Sequence, residues 1–161
     1  MTFRLIAAAV LSTALLSAAP QTRAKNATND PDLKEMRDYR LNMDVLQKYV
    51  NAYKAAMSDQ KAQACFKNSP PGNAPTLDKG EKMITDCTAA VAALKSAGLK
   101  PREFLIITAQ LIGDMMAVEM KKQGTIKEYP PAISPENAAF FEQNFDKIKV
   151  LIAPLMNGGD K

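Results

Sequence analysis

The chain has 161 residues, 47% of them hydrophobic and 24% charged, with a formal net charge of +4 and no histidine. The missing imidazole removes the commonest general base, the commonest zinc and copper ligand, and any C-x-x-C-H haem attachment. The modest charge, with no dense Lys/Arg patch, argues against nucleic acid as a partner.

Residues 1–24 read as a secretory signal peptide. Arg4 supplies a positive start, and Leu5 to Ala19 is an apolar run broken only by Ser12, Thr13 and Ser17. Cleavage after Ala24 places Thr22 and Ala24 at the recognition positions, whereas a cut after Ala19 would set Pro20 beside the scissile bond. The competing reading is a retained anchor, for which the run is short. No cysteine follows to carry a lipid. Cleavage takes away Arg4 and Arg23 and leaves 137 residues at +2, enough for one compact domain in a periplasmic or secreted location.

Two cysteines remain, Cys65 and Cys87. In an oxidising compartment such a pair most simply forms one disulfide. A redox pair or half of a metal site are the alternatives, and neither has a C-x-x-C motif or a histidine behind it.

Residues 25–41 are polar and read as a flexible N-terminal segment, with at most one helical turn after Pro31 and extended chain at Tyr39-Arg40-Leu41. The bundle domain then occupies 42–157. Asn42 caps a helix whose Leu46, Tyr49, Val50, Tyr53 and Met57 recur at three and four residues. Ser58-Asp59 either interrupts it or leaves it continuous to about Phe66. Asn68 to Pro75 is a proline-rich loop, after which Thr76 caps a helix burying Leu77, Met83 and Ile84, weakened by Gly80. A short helix, Ala89 to Ala97, starts from a Thr88 cap, turns Val91 and Leu94 inward and is closed by Gly98 and Leu99.

The central element is the helix 101–123. Pro101 suits the first position and Glu103 the first turn, while Lys121, Lys122 and Gly124 mark its end. Glu103, Gln110, Asp114 and Lys121 share a narrow polar stripe, and nearly everything else is apolar. So slim a stripe predicts a helix wrapped by its neighbours, its polar side in water. A loop with Tyr129-Pro130-Pro131 leads to Ser134-Pro135-Glu136, a strong start signal. The last helix buries Phe140, Phe141, Phe145, Ile148 and Ile152, turns Glu142, Gln143, Asp146, Lys147 and Lys149 outward, and ends or kinks at Pro154; Asn157-Gly158-Gly159 is a frayed tail. The sum is an all-α, single-domain bundle of four main helices plus one short helix. Roughly twenty large apolar side chains, at ~1.5–3 kcal/mol each, let it fold without a cofactor.

No catalytic constellation is found, so no enzyme is expected. Asp114 reads as a solvated or groove-facing residue of the polar stripe and Glu119 as half of a surface pair with Lys122; the sharper alternative is a buried carboxylate with a raised pKa. Met115, Met116 and Met120 are weak candidates for a soft metal and read first as core filler. Tyr49 and Tyr53 pack in the core with their hydroxyls at its rim, or else line a pocket for a small apolar ligand between helices.

Tyr39-Arg40-Leu41-Asn42-Met43-Asp44 and Ala97-Gly98-Leu99-Lys100-Pro101-Arg102-Glu103-Phe104 resemble motifs, Y-x-L-T-M-D and A-G-L-T-P-R-E-[FY], of a group of short exported bacterial proteins of unknown function. Asn42 replaces one capping residue with another, whereas Lys100 is a poorer cap than threonine. The resemblance implies an exported all-helical domain and carries no activity. The expectation is non-catalytic binding or structural interaction in the periplasm, with an unknown protein or a small apolar ligand as partner and no membrane span after cleavage. A carrier or sensor of an apolar ligand or soft metal is the alternative.

Overall fold

The computed structural model describes residues 30–68 and 76–156. The expected signal peptide, the residues up to 29, most of the proline-rich loop and the glycine tail lie outside them. The described residues are all-helical, with no strand: α1 (Pro31–Asp38), α2 (Met43–Ser58), α3 (Gln60–Asn68), α4 (Leu77–Thr85), α5 (Thr88–Ser96), α6 (Pro101–Lys122) and α7 (Pro135–Met156). None is long and apolar enough to cross a membrane.

The expected four helices and a short one become seven for two local reasons. The first is Asp59. Its backbone leaves the helical region, its N–H still bonds Ala55, and its carboxylate accepts the N–H groups of Lys61 and Ala62 at 2.8 and 2.9 Å. One residue thus ends α2 and caps α3. The second is the lead-in, which holds eight helical residues rather than one turn. Asp30 caps α1, and the Asp32 carboxylate accepts the N–H of Leu77 at 2.8 Å, fastening α1 to the start of α4.

Extended chain at 39–41 joins α1 to α2 and is held from both sides. The Asn137 side chain accepts the N–H of Leu41 at 3.0 Å and donates to the carbonyl of Tyr39 at 2.9 Å. Gln110 donates to the carbonyls of Met36 and Tyr39. Asn42 caps α2 through the N–H of Val45. Ser134 caps α7 through the N–H of Asn137.

Two further caps differ from expectation. Cys87, not Thr88, stands at the N-cap of α5, with no side-chain cap bond because its sulfur is joined to Cys65. Pro154 lies inside α7, which runs on to Met156. The proline deprives only the Val150 carbonyl of a partner, and Val150 is 76% exposed, where water can serve. Gly98 and Gly124, at φ 74° and 73°, close α5 and α6 as read from the sequence. After Gly98, the N–H of Leu99 reaches back to the carbonyl of Leu94 while the Leu99 side chain is buried.

α6 packs against α1, α2, α4, α5 and α7. Its first half is enclosed: Phe104, Leu105, Ile106 and Ile107 are all buried, with Phe104 stacked on Tyr49 at 5.0 Å and on Phe66 at 6.0 Å. The Cys65–Cys87 disulfide ties α3 to the junction of α4 and α5.

Candidate functional site

The second half of α6 is exposed on the face that the sequence assigned to the core. Ala109, Ile112, Gly113 and Met116 recur at three and four residues and face solvent, Ile112 at 59% and Met116 at 60% exposure. Gln110 and Asp114, on the stripe read as solvated or groove-facing, are buried at 7% and 4% exposure. The assignment is therefore inverted at these positions, while Leu111 and Val118 are buried and Lys121 exposed as read. Gln110 turns inward because the carbonyls at the end of α1 need donors and its amide supplies them. One turn later Asp114 follows it inward, since residues four apart share a face.

Beside that stripe, α2, α6 and α7 enclose a groove of about 620 Å³. Tyr49 and Tyr53 come from α2, Ile112 and Met116 from α6, and Phe145 and Ile152 from α7. Its volume lies in the middle of the ~300–1,000 Å³ usual for small-molecule sites. Glu119 and Lys149 are the only ionisable side chains of the lining apart from the tyrosines. Tyr49 is buried and its hydroxyl is hydrogen-bonded to that of Thr108 at 3.1 Å, where both line the groove; burial pushes its pKa up. Tyr49 thus packs in the core with Tyr53 against it, as the first reading had it, and both also line the groove.

The other sequence candidates separate. Met115 and Met116 line the groove, while Met120 is half-buried and does not. Among the described residues no group of three or more Cys, Asp or Glu side chains is placed to hold a metal ion. Glu119 forms no ion pair with Lys122. Its carboxylate accepts from the Gln123 amide at 3.0 Å, and the Lys122 ammonium lies over the Phe145 ring instead, 3.8 Å from its centre.

Asp114 has an unusual setting. Burial pushes its carboxyl up to about 7. Its Oδ2 has no hydrogen-bond partner among the described residues, and neither has Oε1 of Gln110. Two orphaned acceptors one helical turn apart need a donor, and a proton on the Asp114 carboxyl supplies one.

Arg102 is the feature that the sequence reading passed over. Its guanidinium grips Glu35 of α1 with two bonds, 2.7 and 2.6 Å, and reaches Asp78 and Glu81 of α4 at 2.6 and 3.1 Å. A signal existed: a cation in the first turn of a helix opposes the dipole, so Arg102 needed anions from elsewhere. The bond pattern spends every contact on joining three helices, which makes it a structural clamp.

Fold and groove define an all-helical domain with an apolar crevice between α2, α6 and α7. Comparison with protein-family models, with curated proteins and with solved structures finds no match.

Proposed function

We propose that this is an exported, non-catalytic binding protein that holds a small apolar molecule in the groove between α2, α6 and α7. The observation that carries the reading is the inversion within the second half of α6: a water-soluble helix leaves Ile112 and Met116 more than half exposed beside a 620 Å³ apolar groove while burying a carboxylate. Exposed large apolar side chains gathered in a concavity mark a surface meant to be covered. The disulfide and the leader-like first 24 residues support a periplasmic or secreted location.

The test is binding of N-phenyl-1-naphthylamine, an apolar fluorophore, to the purified disulfide-bonded protein. The wild type is expected to bind it. Ile112→Glu and Met116→Glu, at exposed positions that leave the core intact, are expected to weaken binding at least tenfold. A wild type that leaves the dye in water, or variants that bind it equally, overturn the reading.

A further inference from the structure

The groove's two ends differ in charge. α6 and α7 run antiparallel, since Lys121 near the end of α6 bonds Glu142 near the start of α7 at 2.9 Å. At one end stand Tyr49, Thr108, Ile152 and Leu155, with no charged group. At the other, the ammonium groups of Lys122 and Lys149 lie over the same Phe145 ring, 3.8 and 5.3 Å from its centre.

Neither lysine has a carboxylate partner among the described residues, a state they share with most of the described lysines; what sets the two apart is that both ammonium groups are drawn to one ring. Two like charges drawn to one aromatic ring repel each other, and the ring quadrupole offsets this only in part. Glu119, the one acid of the lining, is engaged by Gln123. Glu119 and Lys149 balance each other within the lining, and the Lys122 ammonium, beside the lining on the Phe145 ring, adds one positive charge at this end.

From the charge asymmetry we infer that the groove's ligand is a single-chain amphiphile with an anionic head, a long-chain carboxylate. Its tail lies along the apolar trough, and its head is held by Lys122 and Lys149 beside Phe145. The inference rests on the groove's being a ligand site and adds the chemistry of the ligand. From Thr108 to Glu119 the trough follows α6 for about 16 Å at 1.5 Å per residue, which suits an alkyl chain of roughly a dozen carbons. A methylene chain gains from burial along its whole length, and only the head decides between amphiphiles of equal length.

The experiment compares dodecanoate, dodecan-1-ol and dodecylammonium by displacement of the bound fluorophore, and by calorimetry without it, on the disulfide-bonded protein and on its K122Q/K149Q variant. Dodecanoate is expected to bind at least tenfold more tightly than the alcohol, and the ammonium most weakly. In the double variant the carboxylate-to-alcohol ratio is expected to collapse toward one. Raised salt is expected to erode the wild-type ratio in the same direction. An alcohol that binds as tightly as the carboxylate, or a ratio indifferent to the lysines, overturns the head-group assignment and leaves the groove reading standing. Preference for the ammonium overturns it too and points to Glu119. Failure of all three amphiphiles and of the fluorophore removes both readings, as does a stable dimer that Ile112→Glu dissociates, since the groove is then covered by a second copy.

Discussion

Asp114 shows how one side chain can contradict its own helix pattern. It belongs to a polar stripe by spacing, yet it is 4% exposed and its carboxyl is raised to about 7. An unfolded aspartate titrates near 4, so between about pH 4 and pH 7 the folded chain holds a proton that the unfolded chain has released. Stability therefore falls as pH rises through that window and levels off above it, at a cost of about 2–4 kcal/mol. Asp114→Asn is expected to flatten this slope and to raise the midpoint of urea unfolding at pH 8 more than at pH 4.5. Equal effects at both pH values would mean that the carboxyl ionises normally in the fold. The sequence singled the residue out but not its burial, because a helical wheel gives relative angles and leaves the zero to the neighbours.

At the scale of the element, α6 is two helices in one. Its first half is enclosed on every side, and its second half is covered on one face only. Gly113 stands on the open face, and a Cβ added there would meet nothing within 4 Å. Packing thus gives no reason for a glycine in mid-helix, where it costs about 1 kcal/mol against alanine. Gly113→Ala is expected to raise stability by roughly 0.5–1 kcal/mol, read as a shift in the denaturation midpoint. A loss of stability would show that the backbone there is less regular than an α-helix. The boundaries of α6 were legible because proline, glycine and terminal charges act locally; Pro101, Gly124 and the two closing lysines do the expected work. The reciprocal contact at its start is also local: the Glu103 carboxylate accepts the N–H of Lys100 at 3.0 Å, which compensates for a residue that cannot cap with its own side chain.

For the whole molecule, three devices hold short helices together. Arg102 joins α1, α4 and α6, Asn137 pins the chain between α1 and α2 to α7, and the disulfide ties α3 to the α4–α5 junction. The cysteines stand 22 residues apart, a spacing for which the chain-entropy account gives about 3 kcal/mol. Reduction, or Cys65→Ala with Cys87→Ala, is expected to lower the midpoint of thermal unfolding while leaving helicity by circular dichroism at room temperature nearly unchanged. Collapse of the helical signal on reduction would show that the remaining contacts cannot hold the fold alone. Of the three devices only the disulfide was legible in advance, because two cysteines admit one pairing whatever the fold. Arg102 and Asn137 find partners 21 to 98 residues away, at distances that no local pattern reports.

The sequence by itself determined the all-α class, the ends of most helices, the cysteine pair and the packing of Tyr49 and Tyr53 on one face of α2. These follow from local dihedral preference, from caps within one turn and from periodicity. Only the tertiary structure decided which way α6 faces, that Asp114 is buried, that Ile112 and Met116 lie open, and that Lys122 and Lys149 meet over one ring. The physical reason is that amphipathicity fixes a helix's orientation only when one face is plainly polar. α6 is apolar nearly all round, so its rotation was settled by the hydrogen bonds that Gln110 could make to the end of α1.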